Sequence, residues 1–148
     1  MRILKSFEEY LKEGIVKTTT INIERAKSLI EQSERKLRSL NDNLKKVGIN
    51  NDNANDYIEH CYDALLFLVR AKLYSRGYST GGQGAHEAEV AYLRNLGFNE
   101  KEINFADQMR YFRNGILYYG TVLDTEYAEK VVEFTKHIYP KLKEKCSK

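Results

Sequence analysis

The sequence predicts an all-α fold, an up-and-down bundle of four to five main helices preceded by a short N-terminal helix. Three observations predict it. Apolar residues recur at steps of three and four through most of the 148 residues. No segment sustains the period-two alternation of a strand, and glycines or Asn/Asp clusters stand where each periodic run stops. With no internal repeat and no low-complexity tract, the chain reads as one domain over 1–148, an extension over 1–19 leading into a core of about 22–146.

Phe7, Tyr10 and Leu11 suggest the short helix, ending near Gly14, and Thr18-Thr19-Thr20 reads as a β-branched connector. Ile23, Ala26, Ile30, Leu37, Leu40, Leu44 and Val47, with Ser33 in the same row, make a long amphipathic helix. Asn22 or Thr20 caps its start and Gly48 stops it. After the polar loop INNDNAND, Asp56 and Glu59 resemble a capping box. The segment YIEHCYDALLFLVRAKLYSRG is apolar on nearly every side, as expected of a central helix packed by its neighbours, and ends at Gly77. STGGQG then supplies a flexible connector before HEAEVAYLRNLG, whose helix closes at Gly97. Asn99 with Glu102 opens the next helix. Asp124 or Thr125 caps the last, with Tyr127, Ala128, Val131, Phe134, Thr135, Ile138 and Leu142 inward and Pro140 expected to kink or shorten it.

Bulk composition bounds the function. The chain is 42% hydrophobic and 30% charged, which suits a soluble globular protein. The net charge of +3 is matched by the tail, where five lysines from Lys136 to Lys148 face Glu144, so this is not the charge of a protein that coats DNA. Cys61 and Cys146 lack partner motifs, which fits a reducing, cytoplasmic setting. No stretch reaches the ~20 apolar residues of a membrane span, and MRILKSFEEYLKEG lacks a signal-peptide core. No His, Cys or carboxylate spacing supports a metal, and GGQG lacks the pattern of a phosphate-binding loop, so no cofactor is called for. His60 and His137 read as structural or surface residues.

The stretch Arg113-Asn114-Gly115-Ile116-Leu117-Tyr118-Tyr119 contains Asn-Gly, a strong turn signal. Yet Phe105, Met109, Phe112, Ile116 and Tyr119 step by four and three straight through the glycine. The spacing therefore predicts a continuing helix, with the alternative that Gly115 ends it. On a helical wheel Arg110, Asn114, Leu117 and Tyr118 lie away from the apolar row. Such a face either grips phosphate, through arginine forks, a carboxamide and a phenol, or is a solvated flank whose arginines pair with nearby carboxylates such as Asp107.

These segments resemble the HEPN family (higher eukaryotes and prokaryotes nucleotide-binding domain) over roughly Ile23 to Leu142. The resemblance rests on DALLFLVRAKLYSRGYS leading into a glycine-rich loop, on His86-Glu87 in GAHEAEVAYL, and on DQMRYFRNGILYYG. It implies a helical homodimer in which two copies of an Arg-polar-His motif face each other, many members cleaving RNA without metal. Arg113 and Asn114 match the motif, but Tyr118 stands where the His would be. A phenol ionises only at about pH 10 and is a poor base at neutrality. The implied catalytic set is thus Arg113, Asn114 and Tyr118, and the implied nucleotide- or RNA-binding set is Arg110, Arg113, His86 and Tyr119. His86, beside the glycine-rich loop, either substitutes for the missing base or makes a local hydrogen bond at a helix start.

Three function classes follow. One is a binding module for RNA or nucleotide phosphate, or for a partner such as a minimal nucleotidyltransferase in a toxin–antitoxin or related defence setting. The resemblance extends that pairing to modification of a tyrosine, for which Tyr118 and Tyr119 are approximate counterparts. The alternative is an active metal-independent endoribonuclease with a composite site at the dimer interface. The third is a structural helical protein, which leaves the arginine-bearing face unaccounted for.

Overall fold

The computed structural model describes residues 3–147 and is an all-α bundle. Its elements are α1 (Phe7–Lys12), β1 (Val16–Thr18), α2 (Ile23–Lys46), α3 (Ala54–Ser75), β2 (Tyr78–Thr80), α4 (Ala85–Asn95), α5 (Glu100–Tyr119) and α6 (Thr125–Cys146). α3 is the hub, packed against α2, α4, α5 and α6. Its apolar run dictates this position. From Cys61 to Leu73 every residue is buried except Asp63, Phe67 and Arg70. Leu68, Ile103, Met109 and Leu142 are almost wholly enclosed, each side chain contributing about 1.5–3 kcal/mol on burial.

Caps place the helix starts. Asn22 accepts from the Arg25 N–H, Asp124 from the Tyr127 N–H, and Asn99 with Glu102 completes a reciprocal capping box. α3 starts earlier than the sequence suggests: Asn53 precedes its first residue and Asp56 lies within its first turn. Asn50 and Asn53 close the preceding loop on each other, Asn53 Oδ1 accepting from the Asn50 N–H at 2.8 Å. That local bonding moves the start upstream of Asp56. In α2 the inward row loses its ends, since Ile23 and Val47 are exposed, while Leu29 is buried. Ser33 is polar but fully enclosed, its hydroxyl donating to the Ala64 carbonyl at 2.6 Å and sharing a hydrogen bond with the Tyr139 phenol at 2.9 Å.

Two expectations are corrected here. The connector before α2 begins as strand β1, which pairs antiparallel with β2 through Val16–Thr80, Lys17–Ser79 and Thr18–Tyr78. A three-residue ribbon between segments sixty residues apart leaves no alternation long enough to read in sequence. Gly77 adopts a positive φ, and a Cβ there would stand 2.9 Å from the Thr19 carbonyl oxygen, so only glycine permits this crossing. Pro140 does not shorten α6, which continues to Cys146. Pro140 and Lys136, whose carbonyl lacks the usual donor, are both exposed residues, so the missing bond falls on the solvent side of the helix.

α1 belongs to the same core: Phe7 and Tyr10 are buried, and Phe7 packs edge-on against Tyr92 and Tyr78. Among the described residues no helix is long and apolar enough to cross a membrane.

Candidate functional site

The backbone winds through Asn114-Gly115 as α5 and stops only at Gly120, which takes a left-handed conformation. The Gly120 and Thr121 N–H groups both return to the Gly115 carbonyl, a helix-ending arrangement that satisfies the orphan carbonyl. Turn chemistry at Asn-Gly therefore loses to the apolar row, of which Met109 is fully buried and Phe112 and Ile116 partly so. Tyr119, expected on the inward row, is 86% exposed. The last turn of α5 projects past the bundle, so periodicity there has no partner to pack.

The arginine face points inward to α3 and α4. Arg110 is buried, its Nε donating to Asp107 at 2.6 Å, with Nη1 3.8 Å from Glu87 at the start of α4. Arg113 reaches α3: its Nη2 donates to Asp63 at 3.3 Å and its guanidinium lies 5.6 Å from the centre of the Tyr62 ring. Of the two readings of this face, pairing with Asp107 holds for Arg110, which is buried in an internal ion-pair network rather than lying on a solvated flank. Arg113 differs. Its Nε is buried without a hydrogen-bond partner among the described residues, a condition that costs about 1–3 kcal/mol for an ordinary polar group.

His86 joins this cluster. Gly84 opens α4 so that His86 falls in its first turn, with Nδ1 3.3 Å from the Tyr62 hydroxyl and the two rings stacked. Burial, reinforced by the Arg70 and Arg113 cations, lowers the imidazole to about 4, so it is neutral at physiological pH. Burial likewise raises the Tyr62 phenol, which stays protonated. One turn further along α4, Glu89 is fully buried and accepts from Arg70 of α3. Burial raises Glu89, opposed by Arg70.

Arg110, Arg113 and His86 are therefore brought together, while Tyr118 and Tyr119 are not. Tyr118 is 73% exposed and makes no hydrogen bond or ring contact among the described residues. Asn114 is half-buried with no hydrogen bond there. Sequence reading missed Tyr62, Asp63 and Arg70. The signal was present, since Asp63 and Arg70 interrupt an apolar helix seven residues apart, which is one face. No group of three or more His, Cys, Asp or Glu residues able to hold a metal occurs among the described residues. Cys61 and Cys146 are both free and buried.

The cluster thus holds a neutral imidazole and a protonated phenol bonded to each other, beside a guanidinium that lacks one hydrogen-bond partner. Compared with models of known families, with curated proteins and with solved structures, the chain matches none.

Proposed function

We propose that this protein is a binding module that grips an RNA or nucleotide phosphate through Arg113, with His86 and Asn114 positioned to orient the ligand. The observation that carries this reading is the Arg113 guanidinium, which has one 3.3 Å bond to Asp63 and a buried, unpartnered Nε. The side chain keeps 18% of its surface exposed, and there a phosphate oxygen would give the guanidinium a further acceptor. The HEPN resemblance adds a homodimer, and the exposed Leu117, Tyr118, Tyr119 and Val122 at the end of α5 suit its interface. It also adds a minimal nucleotidyltransferase as partner, in a toxin–antitoxin or defence setting, with Tyr118 and Tyr119 exposed to it in the single chain.

The test is binding of a fluorescent single-stranded RNA in EDTA. Arg113→Gln is expected to weaken binding at least about tenfold, as loss of a charge-assisted pair does, and Arg113→Lys to restore part of it. Equal affinity of Arg113→Gln and the native chain overturns the reading. A second reading is metal-independent cleavage with His86 as the base, an imidazole that is neutral but whose proton affinity burial lowers. Its Nε2 lone pair is free to accept the 2′-hydroxyl proton when Nδ1–H donates to the Tyr62 oxygen. RNA products in EDTA that vanish in both Arg113→Gln and His86→Gln would select cleavage over binding alone.

A further inference from the structure

α3 has one open strip. His60, Asp63, Phe67, Arg70 and Tyr74 succeed one another at steps of three and four, and between Cys61 and Leu73 every other α3 residue is buried. The strip runs along two hollows. One, of about 530 Å³, lies between α2 and α3 and is lined by Arg35, Lys36, His60 and Phe67. The other, of about 170 Å³, is lined by Arg25, Arg70, Tyr74 and the hydroxyl-bearing Ser79 and Thr80 of β2.

Both rings on this strip are roofed by cations. The Lys36 ammonium stands 5.9 Å from the centre of Phe67, and the Arg25 guanidinium 5.9 Å from the centre of Tyr74. Neither Arg25 nor Arg35 is paired with a carboxylate among the described residues. Asp63 ties the strip to the α5 site, one oxygen 3.3 Å from Arg113 and the other 4.0 Å from Lys36.

We infer that this strip is a track for single-stranded nucleic acid, on which unpaired bases stack against Phe67 and Tyr74 while the backbone runs along Arg25, Arg35 and Lys36 toward Arg113. The inference rests on the phosphate-binding reading of Arg113 and adds the substrate class and the path. Cation–π pairs leave a ring face accessible in a way that packed aliphatic side chains do not, because a long flexible stem can swing its charge aside. An arriving base takes the place above the ring and the displaced cation pairs with the adjoining phosphate. Phe67 and Tyr74 are seven residues apart, about 10 Å along the helix. That exceeds the ~3.4 Å step of a duplex strand, so the strand that fits is unstacked and extended. In a duplex the base faces are occupied and the rings have nothing to stack on.

The full chain, with fluorescent 12-mer RNA, the same-sequence DNA and the RNA duplex as probes, tests this by anisotropy at two salt concentrations. The native chain should bind the single strands at least about tenfold tighter than the duplex, since stacking alone contributes of that order. Preference for either sugar supports the track equally. Phe67→Leu with Tyr74→Leu should weaken single-strand binding about tenfold or more and leave duplex binding unchanged. The exposed Arg35→Glu, whose fold is checked by melting, should weaken binding and flatten the salt dependence. If single strands and duplex bind alike, or the ring and Arg35 variants bind like the native chain while Arg113→Gln does not, the track is wrong and the phosphate site stands. If nothing binds, both fall.

Discussion

Arg113 combines two conditions that a surface arginine does not. It is largely enclosed beside Tyr62, and its guanidinium is only partly bonded. Asp63 holds it in place without saturating it, and burial, reinforced by the arginines around it, keeps the His86 imidazole neutral. The pH dependence of stability follows from His86. Its folded value of about 4 lies below the ordinary 6.5, so between those values the unfolded chain takes up a proton that the folded chain refuses. The His86 contribution is complete above pH 6.5 and is lost as pH falls toward 4. Glu89, raised by burial, acts in the opposite sense over its own range, so the comparison must be with a variant. Thermal unfolding should show the native midpoint dropping between pH 6.5 and 4 more steeply than that of His86→Gln, which keeps a polar partner for Tyr62. Parallel pH profiles would remove the burial argument. His86 and Arg113 were legible in the sequence as candidates. Tyr62 and Asp63 were not, because Asp63 meets Arg113 across fifty residues of chain.

α5 shows how an element decides between competing local signals. Its capping box at Asn99 and Glu102 and its buried Ile103, Ala106 and Met109 fix the helix before Asn114-Gly115 is reached. Helix propagation then adds one hydrogen bond per residue, against which a turn would have to start anew. Gly115 is a helical residue tolerated at about 1 kcal/mol relative to alanine. A Cβ there would stand 3.0 Å from Thr121 Oγ1. Gly115→Ala alone should therefore stabilise the protein by less than that amount. Combined with Thr121→Ala, it should recover the full ~1 kcal/mol, a positive coupling measurable in a denaturant double-mutant cycle. Additive effects would show that Thr121 does not crowd the helix. α3 was legible as the central helix, but its open strip was not singled out, because an overwhelmingly apolar segment hides a row of few polar residues.

Across the whole molecule, the N-terminal segment is structurally continuous with the bundle. Phe7, Tyr10 and Val16 lie in the same hydrophobic core as α3 and α4, and β1 is the partner of β2, which borders the smaller hollow. Removing residues 1–19 would uncover the Tyr92 ring and leave β2 unpaired. Loss of the buried apolar side chains of Leu4, Phe7, Tyr10 and Val16 amounts to several kcal/mol, each about 1.5–3, a large part of the margin of a domain this size. The truncated chain should melt at least about 10 °C lower and bind a hydrophobic dye. An unchanged melting temperature would show that α1 and β1 are dispensable.

Helical periodicity, capping residues and the absence of alternation determined by themselves that this chain is a helical bundle and that α5 winds through glycine. Those signals are local, resting on contacts within four residues of one another. Tertiary structure alone decided that Arg110 is buried and also meets Glu87 of α4, that Arg113 meets Asp63 beside a neutral His86, and that Tyr118 stands beyond the bundle's edge. A wheel gives the angle between side chains on one helix. What stands opposite them depends on how that helix crosses its neighbours, and so do the burial and the charge that set their chemistry.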